Sequence, residues 1–440
     1  MMHWSKTAFC LITLAGYLRI VSAAPVAFLP EERVTSDSRN YEMCRNPNHS
    51  MAVGSDGTAH LVFWDGYLAT TPAQPSSVWY CRRDPSGRWA PPEMVDNSYT
   101  SGGIRLGGRH PSLVLRPNGE VRAFWHDYRH CTAAQKWMNN TEIYMDVRPS
   151  TGSFSANDVR LTNTSATHDG DNGYVPQAVA APTGEIHVAW YDYHFDRNLA
   201  DLFLMRSDAQ GIFPVATSLT SLRLTNVSQR ADGLSYTLPD LALDSSGNVH
   251  LVWTRDNQSG YGVYHDRLGT SGSLTTPTLL SPTGADFFDP PHIIASPHGD
   301  IFVGWTEHGG PAGDTDIAVA RLRRGASSFD SPMRITPNPS NQRQSDLKVD
   351  VRGILHLVWV DERNGRDEIF HGVFDPDARV LVSETKVSDG EADASRPSIA
   401  LDPCGQPFIA WMDYRNGQSS IRFRTAAQPT TARSSWNLYR

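Results

Sequence analysis

Seven copies of one sequence pattern predict an all-β fold, a seven-bladed β-propeller with four-stranded blades. Each copy holds an apolar strand, a turn with glycine and a second strand that ends in tryptophan, and consecutive tryptophans lie 52 to 65 residues apart. A period of this size indicates a repeat architecture, because one unit is too small to bury its own apolar face. Room for four short strands per unit favours a propeller over a helical solenoid. The copies are residues 50–64, 111–125, 176–190, 239–253, 291–305, 345–359 and 397–411.

The fourth unit shows how each blade is divided into strands. In its second strand, Val249, Leu251 and Trp253 alternate with His250 and Val252, which is typical of a strand with two different faces. Short turn sequences separate the strands. The four strands of this unit are predicted at residues 238–244, 248–254, 262–266 and 278–281.

The ends of the chain predict how the ring closes. A basic residue, an apolar residue and a hydroxyl residue end the fourth strand of several units, and the same pattern occurs at 32–35, before the first unit. The last unit stops after its third strand, at 420–424. We therefore expect the N-terminal strand to complete the final blade, which leaves no free edge between first and last blades. This gives one propeller domain over 24–424 and a polar tail over 425–440.

Residues 1–23 are predicted to be a signal peptide. Lys6 precedes an apolar stretch that ends in the small residues Ser22 and Ala23. The stretch is too short to span a membrane, and no later stretch is long enough. A secreted protein, extracellular or periplasmic and without a membrane span, is the expectation.

Charge and cysteine content narrow the function further. The net charge of −8 argues against a nucleic-acid partner, which clustered lysine and arginine would have to attract. No cysteine has the spacing of a zinc site, so no metal or cofactor is expected, and the protein is expected to be a monomer. In an oxidising compartment, Cys44 and Cys131 are predicted to form a disulfide. Cys81 and Cys404 either pair or stay reduced.

Residues that recur at equivalent positions of several units are interpreted as structural. Four histidines follow the turn glycine by three residues, so the repeat itself explains them. They are His60, His187, His250 and His356. Aspartate and arginine recur just after the tryptophan, and we expect these pairs to join neighbouring blades by charge-assisted hydrogen bonds. Examples are Asp127 with Arg129, Asp361 with Arg363 and Asp413 with Arg415.

Function is expected where the repeat is broken, on the rim above the first three blades. The connections after their tryptophans are longer than in the other blades, and long loops on a rigid scaffold often carry function. Residues 105–136 hold six lysines or arginines and three histidines against two acids. A basic region on an acidic protein suits an anionic ligand. The residues proposed to bind it are Arg109, Arg129, Tyr236, Arg396, His49 and Lys136.

The same rim supplies the groups that β-elimination at a uronate requires. The reaction needs a base, an acid for the leaving oxygen and a cation for the carboxylate. His110 can act as the base, Tyr174 as base or acid, and Arg197 or Arg129 can hold the carboxylate. Glycoside hydrolysis would instead need two carboxylates, and this rim offers only Asp65, Asp127, Asp192 and Asp196.

The repeats resemble those of the sialidase-like propellers with bacterial neuraminidase repeats. Members of that family carry several copies of a short sequence motif, and this chain has one degenerate copy, Asp84-Pro85-Ser86-Gly87-Arg88-Trp89. The Arg-Ile-Pro motif of the family is absent from this chain. Among seven-bladed propellers the arrangement is similar to ulvan lyases. That resemblance rests on His110, His130 and Tyr174, which match in order and approximate spacing. Arg197 is the candidate for the arginine that holds the uronate, although its spacing from Tyr174 departs from the family pattern.

The resemblance to ulvan lyases implies a polysaccharide lyase that acts on an acidic polysaccharide or glycan outside the cell. His110, Tyr174, His130 and Arg197 would be its catalytic residues. Two alternatives remain open. A lectin-like propeller that binds carbohydrate or protein needs no catalytic residue, and a sialidase-type glycoside hydrolase would fit the wider family.

Overall fold

A computed structural model of the protein contains seven antiparallel sheets arranged as the blades of a propeller. It describes residues 25–44, 46–65, 76–97, 107–130, 141–163, 173–193, 200–214, 223–225, 236–256, 261–269, 275–281, 284–285, 289–309, 313–336, 338–415 and 417–427. The predicted seven-bladed, all-β fold is confirmed. In the described residues no helix is long and apolar enough to span a membrane.

The strands of the first four blades follow in chain order, from the central strand outwards. In blade 1 the central strand is split in two, around a single 3-10 turn at Pro47–His49. In blade 3 a bridge between Phe203 and Arg223 continues the sheet outwards. Blade 1 contains β2 (Tyr41–Glu42), β3 (Met51–Val53), β4 (Ala59–Asp65), β5 (Val78–Arg83) and β6 (Glu93–Met94). Blade 2 contains β7 (Gly108–Leu115), β8 (Val121–Asp127), β9 (Glu142–Arg148) and β10 (Val159–Arg160). Blade 3 contains β11 (Gly173–Ala180), β12 (Ile186–Asp192) and β13 (Asp201–Arg206), and blade 4 contains β14 (Tyr236–Leu243), β15 (Val249–Asp256), β16 (Tyr261–Leu268) and β17 (Thr278–Leu279).

Blades 5 to 7 complete the ring, and the N-terminal strand closes it. β1 (Glu32–Arg33) pairs with the last strand of the chain, with Glu32 opposite Phe423 and Arg33 opposite Arg422. The prediction that the N-terminal strand completes the final blade is confirmed. Blade 5 contains β18 (His292–Ala295), β19 (Ile301–His308), β20 (Thr315–Leu322) and β21 (Met333–Arg334). Blade 6 contains β22 (Gln342–Val349), β23 (Leu355–Asp361), β24 (Glu368–Asp375) and β25 (Val380–Lys386), and blade 7 contains β26 (Asp393–Leu401), β27 (Pro407–Arg415), β28 (Gln418–Thr425) and β1 (Glu32–Arg33).

The repeated tryptophans are core residues, as the repeat predicts. Trp125 stacks on Tyr144 of the next strand with ring centroids 6.2 Å apart, and Trp359 stacks on Phe370 in the same way. Such side chains bury large apolar areas and supply much of the energy of a core. Five of the repeated tryptophans are almost completely buried: Trp125, Trp190, Trp305, Trp359 and Trp411.

The basic residue of the fourth-strand pattern has a structural role. Arg160 donates to Glu142 at 2.6 Å, and Lys386 donates to Glu368 at 2.9 Å, so each joins the fourth strand to the third strand of its own blade. The hydroxyl residue of the pattern also joins these two strands, because the Thr162 hydroxyl accepts the backbone N–H of Ile143 at 2.9 Å. The recurring pattern therefore holds the fourth strand to the third strand at the outer edge of the blade.

The recurring histidines are also structural, as predicted. His60 hydrogen-bonds to the Tyr80 hydroxyl at 2.6 Å, and His356 shares a hydrogen bond with His371 at 3.1 Å. Burial disfavours the charged imidazole and lowers the pKa of His60, His187 and His356 to about 4. These rings are uncharged parts of the core at neutral pH.

In blades 2 and 6 the aspartate–arginine pairs act within one blade, so the prediction that they join neighbouring blades is wrong there. In blade 7, Arg415 binds Asp413 and also Asp389, which lies in the connection from blade 6. Arg129 donates to Asp127 at 2.8 Å and to Asp158 at 2.5 Å, and both acids belong to blade 2. In blade 6, Arg363 joins Asp361 to Glu384. The reason is geometric, because the arginine follows the second strand and reaches outwards to the fourth strand of the same sheet.

Candidate functional site

A β-bulge recurs in the central strand of five blades, and His110 lies on one of them. The register of the central strand shifts there in blades 2, 3, 4, 6 and 7. At each bulge one residue adopts a left-handed backbone conformation, with φ between 49° and 53°. This conformation is unfavourable for residues other than glycine. The five bulge residues are His110, Val175, Leu238, Gln344 and Arg396.

Aromatic and basic side chains gather beside the bulges of blades 2 and 3, in what we call the rim cluster. His126 is at its centre, with ring centroids 5.3 Å from those of His110, Tyr128 and Tyr174. Tyr191 lies 5.5 Å from Tyr174. The two sequence-predicted catalytic residues His110 and Tyr174 therefore contact the same ring. The rim cluster consists of Trp64, Arg109, His110, His126, Tyr128, Tyr174, Tyr191 and Tyr193.

Arg109 is the cation of the rim cluster. Its guanidinium carbon lies 5.1 Å from the ring centroids of both Trp64 and Tyr128, and its Nε donates to Ser76 Oγ at 3.1 Å. Among the residues that the structure describes, no carboxylate forms an ion pair with it. Outside the described residues, segments 66–75, 98–106 and 131–140 contain no aspartate or glutamate, whereas 164–172 and 194–199 contain Asp169, Asp171 and Asp196. Arg109 is thus a partly buried cation without a carboxylate partner among the described side chains.

Arg343 occupies the equivalent position in blade 6, one residue before the bulge. It ion-pairs with Glu362 and with Asp367, at 2.6 Å for the latter. In the paired strands, Arg109 lies opposite His126, and Arg343 lies opposite Val360. The residue in blade 2 that corresponds to Glu362 is Tyr128. The same arginine position is therefore neutralised in blade 6, whereas in blade 2 no described carboxylate pairs with it.

His126, at the centre of the rim cluster, has no role predicted from the sequence. It is 1% exposed, and its Nδ1 accepts the backbone N–H of Val175 at 3.2 Å, in the next blade. Burial and the nearby Arg109 lower the pKa of His126 to about 3, so the ring is uncharged at neutral pH. The available signal was its place directly after the tryptophan, where blades 6 and 7 have Val360 and Met412.

His130 and Arg129 gather around Tyr144. His130 Nε2 hydrogen-bonds to the Tyr144 hydroxyl at 2.6 Å, and the Arg129 guanidinium carbon lies 4.0 Å from the same ring. Burial and the positive charge of Arg160 lower the pKa of His130. Because Arg129 is bound by two carboxylates, Asp127 and Asp158, its charge is already balanced.

His49 and Arg396 hold a segment that crosses the centre of the propeller. His49 Nε2 bonds the buried carboxylate of Asp240 at 2.8 Å, and the neighbouring Asn48 donates to the same group at 2.6 Å. Arg396 donates to Glu42 at 2.8 Å and to the Met43 carbonyl at 3.1 Å. Both predicted ligand-binding residues therefore have partners within the protein.

Three other predicted binding residues are not placed. Arg197 and Lys136 lie outside the described residues. Tyr236 begins β14, and its side chain is not described. Cys131 also lies outside the described residues, so its disulfide with Cys44 stays a prediction. Cys44 and Cys81 are buried, Cys404 is exposed, and no disulfide joins these three cysteines to one another.

One group of carboxylates has the spacing of a metal site. In the described part of the chain, oxygens of Glu31, Asp389 and Asp413 lie within 4.8 Å of one another. The guanidinium of Arg415 donates to all three of these acids, at 2.7 to 2.9 Å. Arg415 therefore supplies the positive charge, and we assign no metal to this group.

Comparison with known proteins shows the fold and no family. No protein-family model matches the chain, and no curated protein matches it. A polysaccharide lyase, Uly1, is similar in structure with a TM-score of 0.57 at 8% identity, over 91% of this chain and 99% of that one. A protein of unknown function from Dyadobacter fermentans gives 0.52 at 12% identity, over 90% and 98%.

A sialidase from Trypanosoma rangeli, in complex with the inhibitor DANA, gives a TM-score of 0.48 at 11% identity, over 78% of this chain. This chain spans 57% of the length of the sialidase. The expected resemblance to polysaccharide-lyase propellers is confirmed at the level of the fold. Identities this low carry no information about residues of the site.

Proposed function

We propose that the protein is a carbohydrate-active propeller that cleaves an acidic polysaccharide by β-elimination at a uronate. The observation that carries this proposal is Arg109, a partly buried cation that lacks a carboxylate partner among the described residues. Arg343 at the same position of blade 6 has two. An anionic ligand would complete the site of Arg109.

The surroundings of Arg109 suit a carboxylate. Trp64 and Tyr128 contact the guanidinium, and Ser76 binds its Nε. Its remaining N–H groups form the planar fork that binds a carboxylate with two parallel hydrogen bonds. A uronate is ionised at neutral pH, as other carboxylates are. Arg109 therefore replaces Arg129 and Arg197 as the residue we propose to hold the substrate carboxylate.

His110 and Tyr174 are the proposed base and acid. When Arg109 binds the carboxylate, it stabilises the negative charge that develops as the proton on the adjacent carbon C5 is removed. His110 takes that proton, the C5–H electron pair forms the C4–C5 double bond, and the C4–O bond breaks. Tyr174 gives its phenolic proton to the leaving oxygen. Both side chains contact His126, which supports their action on one sugar.

The carboxylates on this rim support hydrolysis less well. Asp127 accepts from Trp125 at 2.9 Å and from Arg129 at 2.8 Å. Asp65 accepts the backbone N–H of Ser77, and burial raises its pKa. A glycosidase needs two carboxyl groups that flank the substrate, and these two are engaged in holding the strands.

A carbohydrate-binding propeller without catalysis is the second candidate. It is favoured by the tyrosines of the rim cluster, since Tyr128, Tyr191 and Tyr193 are each partly exposed. Such rings combine a large apolar face with a polar hydroxyl and are common in binding surfaces. Secretion by way of a signal peptide at residues 1–23 is part of the proposal in either case.

The test is to incubate the purified protein with a panel of uronate polymers and to follow the ultraviolet absorbance of the unsaturated product. We expect absorbance to rise with the wild type and not with His110→Ala or Tyr174→Phe. Tyr414→Phe, at a half-exposed tyrosine of blade 7, is the matched control and should keep full activity. No rise on any polymer, together with binding that survives His110→Ala, would favour the binding propeller.

A further inference from the structure

We propose that His126 is the positioning residue of this site, a buried imidazole that fixes Tyr174 relative to His110 across the boundary between blades 2 and 3. The inference rests on the proposed function, because it concerns the placement of the proposed base and acid. It assigns to His126 no contact with the substrate.

The residue type at this position is the first observation. Both polar and apolar side chains follow the tryptophan in the other blades, so the repeat itself does not require a histidine there. The six residues are Asp65, Tyr191, Thr254, Thr306, Val360 and Met412. A polar group that is buried costs free energy unless its hydrogen bonds are satisfied. His126 is 1% exposed, and its Nε2 has no partner among the described residues. Stability alone would favour an apolar residue.

A hydrogen bond joins His126 to Val175 in the next blade. Val175 follows Tyr174 directly and is held in a left-handed conformation, φ 49°, which is costly for a β-branched residue. Its N–H donates to His126 Nδ1. The bulge N–H groups of Gln344 and Arg396 are also bound by side chains of the preceding blade, Asp289 and Gln344. The bond therefore fixes the bulge that carries Tyr174.

Ring contacts join His126 to both the proposed base and the proposed acid. The His126 ring lies 5.3 Å from the rings of both His110 and Tyr174, so a shift of His126 changes the distance between the proposed base and acid. Because Nδ1 accepts a hydrogen bond, the proton of the neutral ring is assigned to Nε2. A small displacement of reacting groups by a remote change can lower a rate about 100-fold.

Two substitutions separate positioning from packing. His126→Leu removes the acceptor for Val175, whereas His126→Asn places an amide oxygen where Nδ1 stood. We expect His126→Leu to lower kcat on a uronate polymer by about 100-fold with little change in KM. We expect His126→Asn to keep most of kcat. Hydrogen exchange should show the Val175 amide protected in His126→Asn and unprotected in His126→Leu. Met412→Leu, at the equivalent position of blade 7, is the control.

Each outcome decides the inference. If kcat of His126→Leu matches the wild type, or if His126→Asn loses as much kcat as His126→Leu while melting at the wild-type temperature, the inference is overturned and the proposed function stands. If the wild type eliminates no uronate polymer, the proposed function fails and this inference fails with it. Should His126→Leu not fold, His126→Gln takes its place, because its longer side chain carries the amide beyond the position of Nδ1.

Discussion

Arg109 and Arg343 occupy the same backbone position in blades 2 and 6, yet their surroundings differ. Arg343 is bound by Glu362 and Asp367, while Arg109 lies between Trp64 and Tyr128 and has no carboxylate partner among the described residues. Two neighbouring residues account for much of the difference. Tyr128 replaces Glu362, and His126 replaces Val360. Under the proposed function, the position that holds a structural ion pair in blade 6 binds an anion in blade 2.

Cations on the outer strands of other blades show the structural use of such a charge. In blade after blade, a cation on the outer strand has an acid of its own sheet as partner. These pairs are Arg160 with Glu142, Arg223 with Asp201, Arg334 with Asp316 and Lys386 with Glu368. In a propeller, repeated pairs report how blades are held together, so the departure from the pattern is the better indicator of function.

The largest effect on activity is expected when Arg109 is given the acid that Arg343 has in blade 6. Tyr128→Glu should supply a carboxylate where blade 6 has Glu362, which would occupy the Arg109 guanidinium and compete with the substrate. A hydrogen bond to a charged group contributes about 1.5–3 kcal/mol, so kcat/KM should fall roughly 10–100-fold. Steady-state kinetics on the active polymer measure this. Tyr414→Glu in blade 7 is the control, and equal kcat/KM for Tyr128→Glu and wild type would contradict the account.

Ion pairs that hold strands together outside the rim cluster should affect stability and not activity. Glu32 of the closing strand accepts Arg83 Nε and Nη2 at 2.9 and 2.7 Å, and Trp89 Nε1 at 2.8 Å. Glu32→Gln should lower the free energy of unfolding by about 1–3 kcal/mol, measured in urea, with unchanged kcat. Glu391→Gln, whose side chain is 72% exposed, should cost less than about 1 kcal/mol. If Glu32→Gln lost activity while keeping full stability, the closing strand and the rim cluster would not be independent, which would contradict the account.

The recurring histidines predict a smaller effect, on the pH dependence of stability. Burial lowers the pKa of His187 from 6.5 to about 4, so the folded protein binds fewer protons than the unfolded chain between these pH values. The stabilisation is complete above pH 6.5 and is lost as the pH falls toward 4. In His187→Leu the slope of unfolding free energy against pH should decrease by about one proton in this window. An unchanged slope would contradict the assignment.

Sequence patterns predicted the fold well because the repeat is local. The period, the turn glycines and the fourth-strand pattern each lie within one unit, and residues 32–35 carry that pattern at the opposite end of the chain from the blade they complete. His110 and Tyr174 were found in the same way, by comparing equivalent positions of the units.

Partners distant in the chain could not be predicted in this way. Nothing local shows that Asp158 neutralises Arg129, or that Asp240 binds His49 from 191 residues away. His126 was missed for the opposite reason. It sits in a strand next to a core tryptophan, where its two contacts across the blade boundary become visible only in the folded ring.

The most direct test of the account compares Arg109→Gln with Arg343→Gln. The affinity of each for a uronate oligosaccharide is measured by calorimetry, and the melting temperature of each is measured in parallel. We expect Arg109→Gln to bind roughly 10–100-fold more weakly and to melt at the wild-type temperature. We expect Arg343→Gln to bind as the wild type does and to melt at a lower temperature. Equal affinity for both variants would contradict the claim that Arg109, which has no carboxylate partner among the described residues, is the anion site.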